Sequence, residues 1–367
     1  MIYRSVVSEK FASEQCLNRT GNQNRSIWPI IPIMLKRTLL LSLCLSMPLI
    51  GYADDSSKNA GKVPVDNRPV PPSPPARNIP IDPKLQAEAN AEFRAALASA
   101  DRIVRGHALE AGPRLFGDKM KADIVKGLAD IEPNVRFAAA MGVGDLKLAS
   151  AKDDVLKLID DNDPHVRVAV RYALHRLGDY RFSHDLERTA ADPDPGVRGD
   201  TAIALGKLES SSAVRLLTPM QRDSEPSVRL QVAEALWKLN DERGFKTLVA
   251  ASVSAYPDDV MIAYVAIASS KNQKLQGHIL AGLSNEYPEI ALAAARALGE
   301  LGSQLGYGVA LKGASSKDAR QRFLAAIALG SIGRSDAQEP LAILLHDKDV
   351  PDIRLAAAYS ILQLGMK

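Results

Sequence analysis

The chain has 367 residues, 46% of them apolar, with 46 Lys or Arg against 43 Asp or Glu. Residues 1–53 hold six of the basic and two of the acidic residues; taking them away leaves 40 and 41, so the net charge falls from +3 to −1 and no bulk basicity remains to attract nucleic acid. Both cysteines, Cys16 and Cys44, lie in the same stretch, so the remainder has no disulfide, thiolate nucleophile or thiolate metal site.

In chain order, residues 1–53 read as a leader. Met34 opens a basic n-region with Lys36 and Arg37, Leu39 to Leu43 begin a short apolar run, and Gly51 and Ala53 place small residues where a signal peptidase cuts. Pro48 and the shortness of the run argue against a membrane anchor, and Leu43 before Cys44 argues against a lipoprotein. Residues 1–33 would make too long an n-region, so Met34 reads as the start of a chain bound for the periplasm or the medium. Residues 54–82 are proline-rich and read as a spacer, with a proline-rich ligand as the alternative. Asp82 before Pro83 is a helix start, and KLQAEANAEFRAALASADRIV then reads as one long helix to Val104. That helix and its tail, residues 83–112, are expected to cap the open end of the following array.

From residue 113 to 367 the chain repeats itself. Asp130, Asp161, Asp192 and Asp223 step by 31 residues, as do Pro133, Pro164, Pro195 and Pro226 and the Val–Arg pairs ending at Arg136, Arg167, Arg198 and Arg229. A fixed period of this size marks a solenoid. Each unit reads as two helices. The first carries Ile124, Val155, Leu186, Leu217 or Leu248, and the second starts at the proline, whose fixed φ and missing N–H suit a first turn. Val166, Val170, Ala173, Leu174 and Leu177 fall within about 100° of arc and form its core face. Gly178, Gly302 and Gly333 end such helices. The register slips at Val260 and again before Asp352, which gives about eight units and seventeen helices with the N-terminal one.

Units of about thirty residues that open D-P-x-V-R and close A-x-A-L-G-x-L-G resemble HEAT-like repeats of the phycobilisome-lyase type, over residues 113–366. The resemblance implies an all-α, right-handed solenoid and leaves activity open, since such repeats serve many roles. HEAT-like hydroxylases hold iron with His-Glu pairs. None of the six histidines here, His107, His165, His175, His184, His278 and His346, is followed by Glu, so no metal or other cofactor is expected. His175 stands where other units have Gly144 and Gly206 and reads as a solvent-facing or capping residue; Trp237, two units on, reads as a gap filler. No phosphate loop and no G-x-S-x-G elbow occurs.

The arginine series could form a track for phosphates. The better reading is a structural ladder of Asp130, Arg136, Asp161, Arg167, Asp192, Arg198, Asp223 and Arg229, each Arg six residues after its Asp, tying neighbouring units by bidentate hydrogen bonds. A stripe about 240° to 300° round each second helix from its valine is the most polar. It runs through Met141 and Asp145, Tyr172 and Arg176, Asp200, Ile203 and Lys207, Gln231, Glu234 and Lys238, Arg296 and Glu300, to Tyr359 and Gln363. Its centre, Tyr172, Arg176, Lys207, Glu234 and Lys238, is the expected partner-binding surface on the concave face, because tyrosine and arginine are enriched at hot spots. The function expected is a non-enzymatic scaffold for a protein or peptide. A bilin-lyase-like enzyme or chromophore-attachment subunit, and a nucleic-acid-binding protein, are the alternatives; export argues against the first, charge and export against the second.

Overall fold

A computed structural model describes residues 79–366, and every regular element in that range is helical. The leader and residues 54–78 of the proline-rich stretch lie outside the described residues. Nine second helices stack side by side: α2 (Arg102–Phe116), α4 (Pro133–Leu146), α6 (Pro164–Arg176), α8 (Pro195–Lys207), α10 (Pro226–Lys238), α12 (Pro257–Ser269), α13 (Pro288–Glu300), α15 (Ala319–Ile332) and α17 (Pro351–Leu364). Their first-helix partners are α1 (Pro83–Leu97), α3 (Lys121–Leu128), α5 (Lys152–Leu156), α7 (His184–Thr189), α9 (Ser212–Met220), α11 (Glu242–Ala251), α14 (Tyr307–Ala314) and α16 (Gln338–Leu345). In the seventh pair two 3₁₀ segments, Gln273–His278 and Leu280–Ser284, replace the first helix. Seventeen α-helices are thus present among the described residues, divided differently from the expectation, with nine pairs rather than eight and a cap.

The stretch expected to be one N-terminal helix is two. Asp82 caps α1 by accepting from Lys84 N–H, but the helix ends at Leu97. Asp101 then caps α2 by accepting from Ile103 N–H, and Arg105 Nη1 donates to the carbonyls of Ser99 and Ala100 in the loop between. This is the same loop as in the later units, so residues 83–116 are a genuine first pair.

That pair does not cap an open end. It packs against α17, so the stack closes on itself. Phe93, Ala89, Val104 and Ala108 share one apolar core with Leu345, Leu355, Ala358 and Tyr359. Polar contacts fasten the join: Arg354 Nε donates to Glu92 at 2.9 Å, His107 lies 3.0 Å from Asp352, and Gln338 bonds both Asp82 N–H and the Pro80 carbonyl.

Between units the arginines act as forks. Arg136 Nη1 donates to the carbonyls of Asp130 and Ile131, while its Nε and Nη2 each donate at 2.8 Å to Asp161, 25 residues on. Arg105 with Asp130 and Arg198 with Asp223 do the same, and Arg322 with Asp347 makes the equivalent pair. Each aspartate also accepts the N–H two residues later, as Asp161 does from Asp163. Arg167 and Arg229 make their carbonyl bonds, but Arg167 forms no ion pair with Asp192, and the position 25 residues after Arg229, where Asp would stand, is Ser254.

Hydrogen bonds from Arg198 hold the Asp223 carboxyl below the usual carboxylate range, with burial opposing them. A lowered value means this pair stabilises the fold fully above about pH 4 and loses that contribution as pH falls further. Thermal melts from pH 6 to pH 2 should therefore show Asp223→Asn less stable than the parent at neutral pH, with the gap closing in acid; a constant gap would contradict the linkage.

Every second helix from α4 to α15 ends in a left-handed residue, and these again step by 31: Lys147, Gly178, Glu209, Asn240, Lys271, Gly302 and Gly333. Four are not glycine, and each pays the steric cost of a β-carbon at positive φ, about 1 kcal/mol. Lys147 is exposed with φ 50°. Lys147→Gly should stabilise the fold by up to about 1 kcal/mol, raising the melting temperature, whereas a drop would show that the lysine side chain matters more than its backbone.

Candidate binding face of the second helices

The polar stripe expected on the second helices is gathered near their C-terminal ends, where the helix dipole favours cations. Two of the five expected contact residues converge on one carboxylate, and a third braces them. Tyr172 Oη donates to Asp145 Oδ1 at 2.7 Å, and Lys207 Nζ, from two units on, donates to Asp145 Oδ2 at 2.7 Å. The same ammonium lies 5.6 Å from the centre of the Tyr172 ring, within cation–π reach. Arg176 Nη1 donates to the Lys207 carbonyl at 3.1 Å and lies 3.5 Å from Glu209. Burial, then the Asp145 charge, pushes the Tyr172 phenol well above its usual value, so it remains a donor. The other two residues pair along α10, Lys238 Nζ donating to Glu234 at 2.6 Å.

The stripe is not the open polar surface that a helical wheel suggests. Tyr172 is 1% exposed and Glu234 5%, and Met141, Asp200, Gln231, Arg296 and Tyr359 are buried too. The side chains of Arg176, Lys207 and Lys238 keep 9%, 11% and 17%. The reason is curvature. In a closed stack, units two apart come within reach across the inner side, as Asp145 and Lys207 do. Gly144 makes room for this: a β-carbon there would collide with the Tyr172 ring. Asp145 is the keystone; it lies on the polar stripe but outside the five residues expected at its centre.

A second ionic group joins the ends of α12 and α13. Arg296 Nε donates to Glu300 at 3.0 Å, and Lys271 Nζ lies 3.5 Å from the same carboxylate. Burial raises the Glu300 carboxyl, but the charges of Arg296, Lys271 and Arg114 outweigh it and leave it lowered.

The histidines are scattered. His107 meets Asp352, His165 lies 2.6 Å from Asp200, and His175 bonds Ser183 Oγ at 2.8 Å. Among the described residues, no three His, Cys, Asp or Glu side chains come together as a metal site would require. Trp237 stacks on Phe245, whose other neighbour is His278, so it fills the space between α10, α11 and the 3₁₀ segment.

The HEAT-repeat family model matches residues 122–190, 184–268 and 278–361, well over half of the chain. The chain belongs to the HEAT-repeat family. No curated protein matches it by sequence. Similar solved structures include human deoxyhypusine hydroxylase in complex with glycerol, at 18% identity over 68% of this chain and 97% of that one, TM-score 0.37. Another is the CpcE–CpcF complex of phycocyanin lyase from Nostoc sp. PCC7120, at 19% identity over 66% and 94%, TM-score 0.31. Kap121p is similar at 13% identity over 76% of this chain and 37% of that one, TM-score 0.33. Within this HEAT-repeat chain, the first pair, residues 83–116, precedes the matched region. No helix among the described residues is long and apolar enough to cross a membrane.

Tyr172→Phe keeps the ring and deletes the hydroxyl, leaving Asp145 with Lys207 alone. It should destabilise by about 1.5–3 kcal/mol in denaturant melts, the range for a hydrogen bond to a charged group. No change would show that the phenol–carboxylate bond is dispensable.

Proposed function

We propose that this HEAT-repeat chain is an exported, non-enzymatic scaffold that holds a protein or peptide at the C-terminal ends of its second helices. The observation that carries this is the cluster around Asp145, where side chains of both signs from α4, α6 and α8 meet at one edge of the stack. Arg176, Lys207 and Lys238 bring cationic heads toward that edge, beside the exposed Lys147, Glu209 and Asn240, while Tyr172 and Glu234 support them from below. Internal pairs of this kind can be exchanged for a partner's groups at little net electrostatic cost, and solenoids of stacked helices commonly bind through such faces.

The test is a crosslinking capture from the cell-envelope fraction of the native host, comparing the parent with Lys207→Gln/Lys238→Gln and with Tyr172→Ala/Arg176→Ala. Circular dichroism controls for folding, since Tyr172 is buried. The captured partner should fall about tenfold or more with the lysine pair, as loss of interface hot spots implies. Mass spectrometry of the same sample should place the N-terminus at Asp54. Undiminished capture by folded variants would remove this face, and a chain beginning at Met1 would remove export.

A further inference from the structure

A second surface lies on the outer layer, away from the Asp145 cluster. Between the fifth and sixth pairs is a groove of about 630 Å³ lined by Arg215, Thr218, Pro219, Gln221, Arg222 and Arg243. No carboxylate lines it. Residues 215, 218, 219 and 222 follow the spacing of one helical face, so α9 and the turn after it present this row together, while Ala213, Leu217 and Met220 face the core.

The repeat does not demand these arginines. The positions 31 residues before and after Arg222 are Ala191 and Val253, and those of Arg215 are His184 and Lys246. They have no part in the forks that join units. Arg243 is held in place by Asp241, which accepts from its Nε and Nη2 at 2.9 and 2.6 Å. Arg215 makes one loose contact, 3.5 Å from Glu187, and Arg222 forms no ion pair among the described residues.

We propose that this groove binds an extended acidic segment of a partner protein. Arg222 without an ion pair among the described residues and Arg215 with only a loose one call for oxyanions, which planar guanidinium forks grip in pairs, while Arg243, already paired with Asp241, adds its remaining N–H groups beside them. The openness of the site decides between a segment and a small molecule: the side chains of Arg215 and Arg243 are 74% and 46% exposed, whereas small-molecule pockets enclose most of their ligand. Spacing adds a constraint. Counted at the helical rise, the seven residues from Arg215 in α9 to Arg222 in the turn after it put the two about 10 Å apart along the axis. Three residues of extended chain cover about the same distance, so the recognised pattern has acidic residues at every third position.

The experiment is fluorescence anisotropy of the full chain at low ionic strength with a fluorescein-labelled peptide of Ser-Glu-Gly repeats. A peptide of equal charge with its glutamates contiguous and inorganic pyrophosphate serve as competitors. Arg215→Ala/Arg222→Ala should weaken binding about tenfold or more, the loss expected from removing charge-assisted bonds. Arg188→Ala, an exposed arginine on the neighbouring α7, should leave it unchanged, and the spaced peptide should bind more tightly than the contiguous one. Equal binding by the folded double variant, equal loss with Arg188→Ala, no preference for the spaced peptide, or binding of pyrophosphate alone would each overturn the assignment.

Discussion

The arginine fork is the contact on which the stacking depends. Its Nη1 occupies two carbonyls of the loop before its own helix, and its Nε and Nη2 reach the aspartate of the next loop. That aspartate closes its own turn by accepting the N–H two residues on. One pair of side chains therefore fixes the loop, the start of the second helix and the offset to the neighbouring unit. The fork spans six residues back and 25 forward, which together make the 31-residue period. An insertion inside either interval weakens the fork: where Arg354 stands seven residues after Asp347, its Nη1 keeps one loop carbonyl rather than two, so the period is held by chemistry as well as by packing. Where the fork is missing, the pattern loosens. Val260 and Ala291 stand in the arginine positions of the sixth and seventh pairs, Ser254 and Asn285 in the aspartate positions, and in the seventh pair the first helix gives way to 3₁₀ segments. Tyr256 and Tyr287, exposed, take the capping positions that acidic residues hold in the second helices from α2 to α10 and in α15.

Closure follows the same logic. Arg354 keeps its carbonyl bond to Asp347, and Glu92 of the first pair receives its Nε in the place that the next unit's aspartate takes elsewhere. The last fork thus finds its carboxylate at the beginning of the chain. With no free end, α1 and α17 bury their apolar faces against each other rather than needing a polar outer face, as terminal repeats of open arrays do.

Much of this was legible in the residues. The 31-step, the proline that starts seven of the second helices and the left-handed glycines all report local backbone requirements, and local requirements are written locally. The first pair was hidden because its loop satisfies those requirements with other residues. Ser99 replaces the aspartate, no proline follows Asp101, and alanines on both sides keep helical propensity high through the break. Arg105, 25 residues before Asp130, was the one surviving signal. The burial of Tyr172 and Glu234 was not legible by any local rule. A helical wheel places a residue on one helix, whereas burial here depends on which helix stands opposite, and that depends on curvature summed over nine pairs.

The two layers therefore differ in their freedom to change. On the inner side, Asp145 serves Tyr172 and Lys207 from different units, so altering one residue disturbs contacts two units away. The outer first helices vary from 15 residues in α1 to five in α5, and one is replaced outright, while the second helices keep 13 to 15. A substitution such as Arg222 on the outer side costs the stack nothing that its neighbours must repair. Outer positions that depart from the period without serving a fork are thus free of the constraint that explains the rest of the chain, and charge gathered at such positions calls for a cause outside the fold.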